Sequence, residues 1–130
     1  MTTKRFRDLV VWQRSMKLAE AIYAIARDFP KEELFGLSSQ MRRAAVSVPS
    51  NIAEGFGRDS DRGFAVFLAQ ARGSLYELET QIELARNLAL VDKTRAAQLL
   101  ADSAEIGRMM HGLRSALHRN PAPTSTRSIR

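Results

Sequence analysis

The sequence predicts an all-α protein, an antiparallel up-and-down four-helix bundle with a kinked second helix at Pro49. Three observations point there. Four segments carry apolar residues at spacings of 3 and 4, the period of a helix with one buried face. The connections between them are short and marked by Pro, Gly, Ser or Asp. No segment alternates apolar and polar residues as a strand does, and no Gly-rich strand–turn–helix unit occurs. The 130 residues, 45% hydrophobic and 26% charged, suit one compact domain.

The first helix begins after a polar, basic start containing Lys4, Arg5 and Arg7. Asp8 offers an N-cap. One apolar row is Leu9, Trp12, Met16, Ala19, Tyr23 and Ala26; a second is Val11, Leu18, Ile22, Ile25 and Phe29. Two rows about 100° apart make an arc wider than one bundle seam needs, so the helix is expected to be covered on two sides, by its own bundle and by another subunit. Pro30 stops it near Phe29, because the residue before a proline avoids the helical region.

The second helix should open at Ser38 or Ser39, either of which can cap it. Its apolar row is Met41, Ala45, Val48, Ile52 and Phe56. Its polar row is Gln40, Arg43, Ser47, Asn51, Glu54 and Arg58. Both rows keep phase through Pro49, so the helix is expected to kink there rather than end. A proline in a helix interior costs about 3 kcal/mol, because it cannot donate to the preceding turn and its ring crowds that carbonyl. Gly55 and Gly57 then permit the turn out.

The third helix, about residues 62–90, is capped by Ser60 or Asp61. It keeps a heptad rhythm through Phe64, Leu68, Ala71, Leu75, Leu78, Ile82, Ala85 and Ala89. Ala65, Ala69 and Gly73 form a row of small residues. Gly73 in mid-helix costs about 1 kcal/mol against Ala, which close approach of a neighbouring helix would justify. Glu77, Glu79 and Glu83 read as outer-face residues. Asp92 caps the fourth helix, whose row is Ala96, Leu99, Ser103, Ile106, Met110, Leu113 and Leu117. Residues 1–118 therefore form the bundle domain, and 119–130, with its prolines, small polar residues and arginines, read as a disordered basic tail.

Residues 36–58, GLSSQMRRAAVSVPSNIAEGFGR, closely resemble the signature of a bacterial four-helix-bundle family. That family includes proteins encoded in intervening sequences of 23S rRNA genes and the accessory variability determinant of diversity-generating retroelements. The resemblance extends through FRDLVVWQRSMKLAEAIYAIARDFPKEELFGL at 6–37 and FLAQARGSLYELETQIELARNL at 67–88, nearly the whole chain to about residue 118. It implies a bundle that assembles into a ring, typically a homopentamer, with a basic pore or surface. In the retroelement members it implies contact with a reverse transcriptase and nucleic acid. It implies no enzymatic activity.

The residues themselves exclude several functions. Cysteine is absent, so neither a disulfide nor a thiolate metal site can form, and His111 and His118 have no ligand cluster around them. Neither metal nor cofactor is expected. No apolar run reaches the roughly 18 residues of a membrane span, and the N-terminus lacks a secretory h-region, so a cytoplasmic protein is expected. The polar residues Arg43, Ser47, Asn51, Glu54 and Arg58, with Pro49 and Gly55, read as a lock for the bundle or ring. A lone carboxylate without a nucleophile–base pair is a poor catalytic centre.

A net charge of +6 favours an anionic partner. Lys4, Arg5, Arg7, Arg14, Arg42, Arg62, Arg114 and Arg119 are the candidate nucleic-acid contacts, since a ring would repeat each of them around its axis. Trp12, Tyr23, Phe64, Phe67 and Tyr76 fall at helical spacing and read as core or interface residues rather than base-stacking ones. The expectation is a non-enzymatic, oligomeric bundle that binds nucleic acid, RNA or a ribonucleoprotein, as an accessory or scaffold. The alternative is a protein-interaction scaffold without nucleic-acid contact.

Overall fold

The computed structural model describes residues 5–119. Helices α1 (Val10–Ala26), α2 (Leu37–Phe56), α3 (Asp61–Asn87) and α4 (Lys93–Arg119) pack antiparallel in a bundle. Short 3-10 turns at Phe6–Asp8 and Lys31–Glu33 precede α1 and α2. Each helix touches its two neighbours, α1 with α2 and α4, and α3 with α2 and α4. The diagonal pairs face each other across the core. Ile22, Met41, Ile52, Phe64, Leu68, Leu75, Leu78, Ile82, Leu99, Ile106 and Met110 fill it and are fully buried. The proposed heptad rows supply most of these side chains, which is why the helices face inward as they do.

The helix ends differ from expectation in instructive ways. Asp8 lies in a 3-10 turn, and Leu9 takes the N-cap position of α1 without a side-chain cap. Neither Ser38 nor Ser39 caps α2. Gly36 occupies the N-cap, and the Glu33 carboxylate accepts from the Leu37 N–H at 3.3 Å. A carboxylate four residues back does the work a serine would do. Ser38 is instead buried and accepts from Arg42 Nη1 at 2.6 Å. Ser60 and Asp92 do cap α3 and α4, accepting from Gly63 N at 3.0 Å and Arg95 N at 2.7 Å.

Helix α2 runs through Pro49 without interruption. Gly57 ends it with ordinary helical φ, and Gly55 is inside it and buried, so neither glycine serves a left-handed turn. Helix α3 stops at Asn87, short of the expected end. Ala89 sits at φ 60°, with its N–H donated to Arg86 O at 3.0 Å and the Leu90 N–H to Ala85 O at 2.9 Å. These are the paired bonds of a Schellman cap, with alanine where glycine is the usual residue. The left-handed region costs an L-residue about 1–2 kcal/mol. Ala89→Gly should therefore raise unfolding stability by about 1 kcal/mol, read as a higher midpoint in urea with unchanged slope.

Glu79 is not on an outer face. It is half-buried and accepts a 2.5 Å hydrogen bond from the fully buried Ser103 of α4. Gly73 has nothing within 4 Å of where a Cβ would stand, so no helix of its own chain approaches it. The backbones that do come close are α2 and α3, the most extensive pairing in the fold. Ser47 and Ser74 hydroxyls meet across it at 2.7 Å.

Candidate nucleic-acid interface

The antiparallel order brings the start of α1, the end of α2, the start of α3 and the end of α4 to one end of the bundle. This distributes charge unevenly. Residues 5–17, 47–73 and 107–119 make up that half and carry ten Lys and Arg against four Asp and Glu. Residues 18–46 and 74–106 make up the other half and carry seven against ten. Among the described residues, the positive surplus is thus concentrated at one end of the folded molecule.

Of the predicted contacts, Arg5, Arg7, Arg14, Arg62, Arg114 and Arg119 fall in the basic half, while Arg42 lies in the other. Lys4 and residues 120–130 lie outside the described residues, and Arg119, the expected start of the tail, closes α4 instead. Lys17, Arg58, Arg72 and Arg108 join the basic half and were not among the predicted contacts. Their signal is the register between helices, which a single sequence does not display. Several of these cations have weak competition. Arg5 pairs with Asp8 at 3.7 Å with both side chains largely exposed, an ion pair worth about 0–1 kcal/mol. Arg7 lies 4.6 Å over the Phe6 ring, and Arg62 is exposed.

Arg14 also acts across to α4. The Glu105 carboxyl is held below the ordinary carboxylate range, first by the hydrogen bond from Arg108 at 2.6 Å, then by its charge, with Arg14 adding to it. A lowered carboxyl contributes stability above its unfolded value and loses it as pH falls through the folded one.

The polar row of α2 divides into two. Ser47 and Asn51 turn to α3: Asn51 Nδ2 donates to Ser47 O and to Ser47 Oγ, both at 2.9 Å, and Ser47 Oγ meets Ser74 Oγ. Arg43, Glu54 and Arg58 are exposed. Glu54 and Arg58 lie 3.5 Å apart, an exposed i,i+4 pair worth about 0.3–0.5 kcal/mol. Arg58 also covers the Phe67 ring at 4.5 Å. A polar groove of 590 Å³ runs beside this row between α2 and α3, lined by Gln40, Arg43, Ser47, Ser74 and Glu77. It holds one carboxylate and no nucleophile–base pair.

The outer row of α1 is the other notable surface. Trp12 and Met16 are only partly buried and Tyr23 is 46% exposed, although Phe64 belongs to the core as expected. With Val46, Pro49 and Ala53 of α2 they line an apolar groove of 590 Å³. Among the described residues, no group of three or more His, Cys, Asp or Glu could hold a metal ion. No helix among them is long and apolar enough to cross a membrane.

The family model of 23S rRNA-intervening sequence proteins matches residues 7–112, which hold α1, α2 and α3 whole and α4 up to residue 112. The chain belongs to that family. Among solved structures, this 23S rRNA-intervening sequence family member is similar to a protein of unknown function from the S23 ribosomal protein family of Bacteroides thetaiotaomicron VPI-5482. The TM-score is 0.76 at 24% identity, covering 82% of this chain and 96% of that one. That likeness shows the antiparallel four-helix fold. No curated protein matches the chain.

Proposed function

We propose that this family member is a non-enzymatic, oligomeric accessory or scaffold protein that binds RNA through the basic half of its bundle. One observation carries the reading: the antiparallel order gathers ten cations against four carboxylates at one end, and the opposite half has the reverse surplus. Such an end attracts a phosphate backbone. A ribonucleoprotein, such as a reverse transcriptase complex, is the partner class that the resemblance to retroelement accessory proteins adds. No nucleophile, metal-ligand set or paired carboxylates among the described residues argue for chemistry.

The oligomer rests on the apolar groove between α1 and α2. Trp12, Met16, Pro49 and Ala53, at the end of the groove away from Tyr23, leave a surface that a second copy would cover, and a five-membered ring is the form the resemblance implies. The test is filter binding of the protein to a structured RNA at 50 and 200 mM salt, with light scattering on the same sample. Micromolar or tighter binding that falls steeply with salt, together with a mass above one protomer, is expected. Undetectable affinity at low salt removes the RNA reading and leaves the protein-interaction scaffold. A monomeric mass at micromolar concentration removes the oligomer.

A further inference from the structure

Three arginines gather around Tyr23 in the half of the molecule that is otherwise acidic. Arg42 and Arg43 line a cleft of 330 Å³ with Tyr23, Ser39, Val46 and Ser47. Arg27, one turn along α1, shares the adjoining groove with Tyr23. None of the three is in an ion pair within 4 Å among the described residues, and no carboxylate lines the cleft. The neighbouring carboxylates, Glu20 and Glu77, line the adjoining grooves and not the cleft, and an anion seated between Arg42 and Arg43 would relieve their mutual repulsion.

The cleft is also built. The Arg42 guanidinium is fixed by its 2.6 Å bond to the buried Ser38 and lies 5.9 Å from the Tyr23 ring centroid. Ser39, in the first turn of α2, lines the cleft with its hydroxyl-bearing side chain, while the positive end of the helix is already met by the Glu33 carboxylate. Tyr23 exposes 46% of its surface although it belongs to the apolar row of α1. A flat, half-open ring next to one fixed cation and two exposed ones suits a ligand with one planar and one anionic part.

We propose that this cleft binds one nucleotide, its base stacked on Tyr23 and its phosphate held between Arg42 and Arg43. The ring supplies stacking without base selectivity, since every base has a π-face. The arginines supply planar donors that match phosphate oxygens. The site lies outside the basic half and binds an unpaired base, which a duplex does not offer. A nucleotide within a single strand is the occupant. In that respect the inference rests on the nucleic-acid reading, and the experiment separates the two.

Fluorescence anisotropy with a labelled 12-nucleotide oligoadenylate is compared with a labelled 12-base-pair RNA duplex, and unlabelled AMP serves as competitor. Wild type, Tyr23→Ala, Tyr23→Phe and Arg43→Ala are measured, each after circular dichroism and light scattering show wild-type helix content and mass. Tyr23→Ala should weaken oligoadenylate about tenfold or more, and Tyr23→Phe should restore it, because the ring and not the hydroxyl stacks. Arg43→Ala should weaken oligoadenylate and flatten its salt dependence by about one unit of slope. Duplex affinity should hold in all three variants. Tyr23→Ala that binds oligoadenylate as wild type does overturns this inference alone, and so does equal weakening of the duplex. AMP that competes at the oligonucleotide's own affinity overturns the strand as occupant and assigns the cleft to free nucleotides. Wild-type protein that binds neither RNA overturns both readings.

Discussion

Gly55→Ala will lower the unfolding free energy by about 2–3 kcal/mol, a loss of the size expected when a packed contact is forced apart. The added Cβ would stand 2.6 Å from Phe67 Cβ, 3.0 Å from Phe64 Cδ1 and 3.3 Å from the Phe64 carbonyl oxygen. None of these can swing away. Two belong to backbone or its first side-chain carbon, and the Phe64 ring is fully buried against Phe56, with ring centroids 5.9 Å apart. The last turn of α2 must therefore move off α3. Helix propensity works in the opposite direction by about 1 kcal/mol, so a measured loss reports the close approach alone. The matching control is Gly73→Ala, where nothing lies within 4 Å and a gain of about 1 kcal/mol is expected. Thermal unfolding should show a midpoint about 8–15 °C lower for Gly55→Ala. Equal midpoints for Gly55→Ala and wild type would contradict so close a crossing.

The second large effect concerns the basic half. Arg7→Ala combined with Arg62→Ala should weaken RNA about 100-fold at 100 mM salt, and log K against log salt should flatten by about two units. Both side chains are exposed, and neither pairs with a carboxylate within 4 Å among the described residues. Folding should therefore be untouched. Lys93→Ala is the counterpart in the acidic half, equally exposed at the start of α4, and should leave affinity within about twofold of wild type. Equal losses from the two ends would mean that overall charge, and not its placement, governs binding.

The bundle could be read from the sequence because its evidence is periodic. The rows from Phe64 to Ala85 and from Ala96 to Leu117 repeat the same spacing for turn after turn, and an α-helix has only one way to bury such a row. Continuity through Pro49 could be read for the same reason. Ser60 and Asp92 cap α3 and α4 as the sequence suggests, but the starts of α1 and α2 and the end of α3 resisted, because caps depend on what the chain does just outside the helix. Ser38 looks like a cap, yet it is buried and bound to Arg42, and Glu33 reaches Leu37 from an adjacent turn. Ala89 gives no signal at all, since alanine is a favoured helix residue and here takes a position that suits glycine.

The candidate interface was half legible. Its arginines were identifiable by type, but not which of them share an end. Arg42 and Arg62 are twenty residues apart in the chain and fall in opposite halves, while Arg7 and Arg114 are distant in sequence and fall in the same one. Tyr23, which the spacing makes a core or interface residue, stands exposed on the single bundle. Its spacing matches Leu9 and Ala19, which are buried, but it lies toward the edge of an arc too wide for the bundle to cover.

The charge asymmetry bears on how copies of this chain could stand beside one another. In a ring whose protomers point the same way, basic halves adjoin basic halves around the whole circle. Their repulsion opposes closure. Dissolved ions damp it, with a screening length of about 8 Å at physiological ionic strength. The same ions compete for the phosphate contacts. Salt would thus pull the two proposed activities apart: it would favour a closed ring and disfavour RNA binding. A bound strand threaded over the basic face would do what salt does, neutralising neighbours against each other. Cargo and assembly would then reinforce one another most strongly in dilute electrolyte.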